Sequence, residues 1–182
     1  MRKLILIKAY HNKIDMKRTP LKNIFTEKGW QIIEAYWDIA EKKLMDMRLT
    51  WGSLKIYCES NYLPQDIFLP ALIKRSDEGS RHSRIVLWMI NRGAELVETE
   101  NKAHFEGNYC DIVKRSKERD EYIARRINAT LKDFETGVLI IGAKHKVEQY
   151  LPEDIKVESL LDIEDTPELK RLLMACGLLS DE

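Results

Sequence analysis

An apolar run that ends in a glycine and then a histidine constrains the fold of this 182-residue chain more than any other feature. Residues 137–141 are mostly aliphatic and β-branched, which predicts a buried strand. Gly142 follows the run and permits a sharp turn, so we expect His145 just beyond the carboxyl end of a central strand. Open α/β sheets bind their ligands at that edge.

A second run near the N-terminus has the same arrangement. Residues 4–7 predict a strand, and His11 stands four residues beyond them, as His145 stands four residues beyond residues 137–141. The chain has only four histidines, so two of them occupy matching positions. We therefore expect both imidazoles at the same edge of one sheet.

Strand-like and helix-like patterns alternate along the whole chain. Helices are predicted at residues 30–48, around 85–89 up to Gly93, at 116–134 and from Pro167 onward, and strands at 4–7, 54–58, 94–98, 137–141 and 155–157. Residues 12–28 and 74–82 are expected to be polar loops, with Pro20 as a break in the first, and residues 65–69 remain unassigned. This alternation predicts an α/β fold over residues 1–182, a single domain with a mainly parallel sheet and helices on both faces.

Composition excludes several classes of protein. Thirty basic residues balance thirty acidic ones, so no net field favours nucleic acid or an anionic membrane as a partner. No segment approaches the roughly 20 apolar residues that span a bilayer, and we expect a cytoplasmic protein. The three cysteines, Cys58, Cys110 and Cys176, form no CxxC pair, which argues against a zinc ribbon. Neither the substrate nor the oligomeric state follows from these patterns.

Four predicted strand ends carry side chains that can act on a ligand: His11, Glu59, Glu100 and His145. Two imidazoles and a carboxylate can bind a divalent metal such as zinc or manganese, and His11, His145 and Glu100 are the predicted ligands. Such a metal would activate water, whereas without it a histidine beside a glutamate can serve as a general base. The alternative for each residue alone is a solvated loop position. P-loop, GxGxxG and GxSxG motifs are absent.

Arg119 precedes Ile123 by four residues and so continues the inward stripe of its predicted helix. An inward guanidinium can hold a carboxylate or phosphate, or stabilise an oxyanion. The alternative is a surface ion pair with a neighbour in sequence, namely Glu118, Asp120 or Glu121. His82 and His104 lie among polar residues and are expected at the surface.

Residues 118–124, ERDEYIA, and residues 138–145, VLIIGAKH, resemble the TraB/PrgY–Tiki family, which belongs with the erythromycin-esterase-like and ChaN-like proteins. The resemblance covers about residues 115–155. It implies that Arg119 and His145 are site residues and that His11 belongs to a first Gly-x-x-His motif. Lys8 stands where that motif has glycine, and would crowd the turn or place a cation in the pocket. The family's central glutamate corresponds to Glu59 or Glu100.

The resemblance implies a hydrolase, because some members of the family cleave bonds in their substrates and the Tiki proteins do so with a metal. We therefore predict hydrolysis of an ester or amide bond in a small molecule or peptide. His11 and His145 would hold metal or act as base, a glutamate would orient water, and Arg119 would stabilise the oxyanion. Other members bind haem or act in regulation, so the alternative is a module of the same fold that binds haem or an anionic ligand without catalysis.

Overall fold

The computed structural model describes residues 1–17, 23–107, 112 and 114–179. The strands are β1 (Arg2–Ala9), β2 (Leu54–Cys58), β3 (Glu95–Leu96), β4 (Thr136–Gly142) and β5 (Ile155–Ser159). The helices are α1 (Lys13–Met16), α2 (Glu27–Asp46), α3 (Gln65–Asp77), α4 (Arg81–Ile90), α5 (Ser116–Thr130) and α6 (Pro167–Ala175). Pro20 and Cys110 lie outside the described residues.

The five strands form one sheet in the order β3-β2-β4-β1-β5, and each pair of neighbours is parallel. The two apolar runs of the sequence are β1 and β4, which pair with each other from Lys3 opposite Thr136 to Ala9 opposite Gly142. A strand with neighbours on both sides and helices above and below is buried along its length, which explains the continuous apolar runs. The predicted parallel α/β fold is confirmed.

Helices cover both faces of the sheet, and the alternation of side chains along each strand separates two cores. In β1, Ile5 and Ile7 belong to the core that also receives residues of α2, α3, α4 and α6. Leu4 and Leu6 belong to the opposite core, which is built mainly against α5. The period of two in a strand therefore assigns each residue to one of the two layers of helices.

The strand order places the chemistry of the chain at one edge. Strands β2, β4 and β1 are successive neighbours and all run in the same direction. Their carboxyl ends therefore lie side by side, and they lead into Glu59, into the turn that holds His145, and into the segment that holds His11. The prediction that His11 and His145 follow strands that end at the same edge is confirmed.

Two predicted loops and the extent of one predicted strand are wrong. Residues 74–82 are not a polar loop, because α3 continues to Asp77 and α4 begins at Arg81, with Gly79 at a φ of 102° between them. The segment predicted as loop at 12–28 contains α1 and the start of α2. The predicted strand at 94–98 is hydrogen-bonded as a strand only over Glu95–Leu96.

Helix α5 ends four residues earlier than the predicted 134, at Thr130. Leu131 still packs into the core, but Phe134 is 90% exposed and adopts a φ of 66°. A positive φ places a side chain outside the helical path, so Phe134 leaves the inward stripe that its spacing predicted.

Candidate functional site

A buried guanidinium joins the ends of two strands. Arg119, on α5, is 4% exposed, and Glu100, beyond β3, is fully buried. Arg119 donates from Nε and Nη2 to the two carboxylate oxygens of Glu100, both at 2.8 Å, and from Nη2 to Glu59 Oε1 at 3.0 Å. The bidentate pair is the strongest geometry that an arginine makes with a carboxylate. Glu100 also accepts a hydrogen bond from the Ser60 backbone N–H at 2.9 Å.

His145 is fixed from both sides of its ring. The turn after β4 closes with a hydrogen bond from the His145 N–H to the Gly142 carbonyl at 3.0 Å. The ring contacts Asp120 Oδ1 through Nδ1 and Glu59 Oε1 through Nε2, the latter at 3.3 Å. Asp120 also accepts a hydrogen bond from the Lys146 N–H at 2.8 Å, so one carboxylate positions both the imidazole and its turn.

Position 142 favours glycine because the chain passes very close to a carboxylate there. The Gly142 N–H donates to Glu59 Oε2 at 2.9 Å. A Cβ atom at this position would lie 2.9 Å from the same oxygen, which is too close for an unshifted carboxylate. The turn and Glu59 are therefore built as one unit.

We call Glu59, Glu100, Arg119, Asp120 and His145 the charged network. Burial by itself lowers the pKa of His145, but the hydrogen bonds and charges of Asp120 and Glu59 outweigh it and raise the pKa to about 9. His145 is thus an imidazolium at neutral pH. Burial by itself raises the pKa of Glu59, but His145 and Arg119 outweigh it and hold that pKa well below its usual range. With three carboxylates against two cations, one negative charge remains.

A cavity of about 460 Å³ opens at the same edge of the sheet. Its ionisable lining includes His11, Asp15, Glu59, Arg75, Glu78 and His82. Glu59 is the member of the charged network in this lining. The carboxylate of Glu59 therefore connects the buried charges with the space that a ligand can enter.

The structure brings together four of the five predicted site residues: Glu59, Glu100, Arg119 and His145 contact one another directly or through Glu59. His11 is exposed and lines the cavity instead. The two candidates for the central glutamate both belong to the network, because Arg119 binds both.

Lys8, which stands at the glycine position of the first motif, does not line the cavity. Its Nζ donates to the His145 carbonyl at 2.6 Å and pairs with Glu148 Oε1 at 3.2 Å. Of the two expected effects of Lys8, the structure shows neither a crowded turn nor a cation in the cavity. Lys8 instead ties β1 to the turn that carries His145.

The sequence patterns misplace three residues at or near the site. They indicate Asp120 only as a surface partner of Arg119, although Arg119 and Asp120 lie four residues before the inward Ile123 and Ala124, a spacing typical of burial of both. The expectation that His82 and His104 lie at the surface is wrong: His104 is 6% exposed, and His82 lines the cavity with a buried Nε2. No local pattern marks either histidine.

The network does not suit the predicted divalent metal. Both oxygens of Glu100 accept from Arg119, and both ring nitrogens of His145 face carboxylates, so a metal ion would have to displace these contacts. Arg119 already supplies the positive charge that a metal would bring. Within the described part of the chain, no three His, Cys, Asp or Glu side chains are grouped to hold a metal ion. His11, His145 and Glu100 thus stay a prediction as ligands.

Comparisons of the chain with protein-family models, with curated proteins and with solved structures find no match. The resemblance to the TraB/PrgY–Tiki family therefore stays a prediction. Among the described residues, no helix combines the length and the apolar character that crossing a membrane requires.

Proposed function

We propose that the protein is a hydrolase that cleaves an ester or amide bond of a small molecule or peptide at the carboxyl edge of its sheet. The observation that carries the proposal is the position of Glu59. Gly142 holds one oxygen of this carboxylate, Arg119 and His145 hold the other, and the residue also lines a cavity large enough for a small ligand.

The chemistry follows from the charge of the network. Glu59 would accept a hydrogen bond from a water molecule and orient it toward the carbonyl carbon of the substrate. As the water oxygen bonds to that carbon, its proton would pass to Glu59, and the network would change from one net negative charge to none. The proton would then move to the leaving group as the ester or amide bond breaks, which restores the carboxylate.

Arg119 has a different role in this proposal from the one that the sequence predicts. Its Nε and Nη2 donate to Glu59 and Glu100, so it positions carboxylates rather than binding an oxyanion. His145, as an imidazolium, would keep Glu59 ionised between turnovers. His11, exposed at the cavity, would contact the substrate.

The test compares two carboxylates of the same cavity. Glu59→Gln should lower hydrolysis of p-nitrophenyl esters and p-nitroanilides by about 10²–10⁴-fold, the usual worth of a general base. Glu78→Gln is the matched control, because Glu78 lines the cavity but is exposed and lies outside the network. Equal activity of the Glu59 variant and the wild type would refute the proposal.

A second function, a non-catalytic binding or regulatory module, is favoured by one specific observation. Nε and Nη2 of Arg119 and both ring nitrogens of His145 already have partners inside the protein, and the low pKa of Glu59 weakens it as a base. A haem titration followed by absorbance, with the hydrolase assays on the same preparation, separates the two functions. Stoichiometric haem binding without turnover would favour the module.

A further inference from the structure

The wall of the cavity beside Glu59 contains two polar atoms that lack partners. Asp15, on α1, and His82, on α4, both line the cavity. Asp15 Oδ2 and His82 Nε2 are buried, and neither makes a hydrogen bond within the part of the chain that the structure describes. A buried oxygen or nitrogen without a partner is costly, so a native protein keeps such atoms where something else can satisfy them.

The electrostatic field at this wall favours a positive charge. Burial lowers the pKa of His82 to about 4, so the ring is neutral at pH 7. Asp15 and Glu59 act on His82 in the direction that raises its pKa, and their contributions exceed those of His11 and Arg75, which lower it. The imidazole at this wall therefore supplies no cation to these carboxylates.

The cations of the lining do not cancel this field. Lys17 and Arg75 line the cavity but are exposed, so water screens them. The charged network, with Glu59 included, carries one net negative charge. The buried part of the cavity is thus anionic, while its exposed rim carries Lys17 and Arg75 beside Glu78.

We propose that this wall recognises a protonated amino group, so that the ligands are aminoacyl esters or amides with a free amine. The cleavage of an ester or amide bond in this inference rests on the proposed function, whereas the binding of the amine does not depend on it. An ammonium donates three hydrogen bonds and needs only acceptors around it. Asp15 Oδ2 is an acceptor of that kind, and His82 Nε2 is one in the tautomer that carries its proton on Nδ1. A small shift of the two side chains would expose these atoms to the cavity. Lys17 and Arg75 at the rim would suit a carboxylate or carbonyl oxygen elsewhere in the ligand.

The size of the cavity agrees with such a ligand. A volume of about 460 Å³ lies within the range of small-molecule sites, roughly 300–1,000 Å³. Ala9, Ile14 and Ile140 supply apolar lining for an aliphatic side chain. Leucine amide and its N-acetyl derivative are therefore suitable probes, because they differ in the charged amine and share the rest of the molecule.

Isothermal titration at pH 7 provides the test, since an α-amino group has a pKa of roughly 7.7–8.0 and is protonated there. Leucine amide should bind the wild-type protein at least about tenfold more tightly than N-acetylleucine amide, the factor that 1.4 kcal/mol represents. Asp15→Asn should remove that preference, whereas Asp77→Asn should preserve it, because Asp77 is exposed and lies outside the lining of this cavity. Equal binding of the two amides, or no binding of either, would overturn the inference.

Turnover distinguishes this inference from the proposed function. If leucine p-nitroanilide and N-acetylleucine p-nitroanilide are hydrolysed equally well, amine recognition is wrong and the hydrolase stands. If leucine amide binds selectively but neither anilide nor the matching esters are cleaved, the hydrolase is wrong and amine recognition stands. If Asp15→Asn does not fold, the comparison of the two amides on the wild-type protein still decides.

Discussion

At the scale of single residues, the charged network shows how buried ions are made tolerable. Arg119 and Glu100 are 4% and 0% exposed, so each has lost most of its hydration. Their bidentate contact and the second bond to Glu59 offset that loss. This compensation requires both the cation and the carboxylates, because removal of one partner leaves the other charge buried and unpaired.

Arg119→Met tests this dependence. The substitution keeps an unbranched apolar stem but leaves Glu59 and Glu100 without their cation, so we expect a loss of about 3–5 kcal/mol in the free energy of unfolding. Urea denaturation measures it. Arg84→Met is the control, because Arg84 is 48% exposed in its pair with Glu41 and should matter by less than about 1 kcal/mol. Similar losses in the two variants would contradict the structure of the network.

His145 gives the protein a stability that depends on pH. Its pKa is about 9 in the folded protein against an ordinary 6.5, so the folded state binds the proton more tightly than the unfolded chain. The contribution is fully present below pH 6.5 and is lost as the pH rises through 9. Wild type and His145→Gln should therefore differ in stability by on the order of 3 kcal/mol more at pH 6 than at pH 10. Urea denaturation at the two pH values checks this, and a constant difference would refute it.

At the scale of elements, the turn after β4 positions the side chains of the site. It delivers the Gly142 N–H to Glu59 and the His145 ring to Asp120 within four residues of chain. Lys8 fastens the same turn to β1. The addition of one methyl group in this turn should therefore disturb the position of Glu59 at the cavity.

Gly142→Ala makes that change. The new methyl group would lie 2.9 Å from Glu59 Oε2, so the carboxylate must leave its place in the network. We expect the free energy of unfolding to fall by about 1–3 kcal/mol, the usual cost of overpacking, and ligand binding or turnover to fall with it. Gly52→Ala is the control, since a Cβ there meets nothing within 4 Å. Thermal melts of both variants, with the amide titrations, make the comparison.

The turn between α5 and β4 contains a different kind of constraint. Phe134 has a φ of 66° and is 90% exposed, so its ring contributes little packing while its backbone is strained. Asparagine tolerates that conformation better. Phe134→Asn should therefore raise the free energy of unfolding by about 1 kcal/mol in urea denaturation. A destabilised variant would show that the phenyl ring stabilises the fold despite its exposure.

The strands and long helices of this chain could be predicted from its sequence. A strand that is buried on both faces has a continuous apolar run, and a helix that is buried on one face has an apolar stripe. The predicted strand at 54–58 matches β2, and the stripe that includes Arg119 and Ile123 indicates their burial. The sequence does not predict α3 because Leu72 is the one buried residue along it, and a helix exposed over most of its surface has no such stripe. Local pattern therefore predicted the elements that form the cores better than those at the surface.

The site was predicted only in part for a related reason. The strand ends and the family resemblance indicated Glu59, Glu100, Arg119 and His145, which do contact one another. What surrounds a polar side chain depends on residues distant in sequence. Glu59, for example, is 60 residues from Arg119, whose partner it is, and 86 from His145. Spacing along the chain contains no record of such contacts, so the ion pairs that join Arg119 and His145 to carboxylates could not be foreseen.

At the scale of the whole molecule, one sheet separates and connects the two cores. Its strands contribute alternate residues to each core, as Ile5 and Leu4 of β1 show. The loss of packing on one face therefore removes support from strands that the other face needs. We expect the chain to unfold as one cooperative unit, in agreement with the predicted single domain.

Ile123→Ala tests this coupling because all four tryptophans, Trp30, Trp37, Trp51 and Trp88, belong to the core on the opposite face. Ile123 lies on α5 and is fully buried in the core between that helix and the sheet. Its truncation should lower the free energy of unfolding by about 2–5 kcal/mol. Tryptophan fluorescence should report the whole of that loss, with the same urea midpoint as far-ultraviolet circular dichroism. If the layers unfolded independently, fluorescence would keep the wild-type midpoint while circular dichroism shifted. The position of the fluorescence midpoint thus decides whether a loss of packing in one core also destabilises the core on the other face of the sheet.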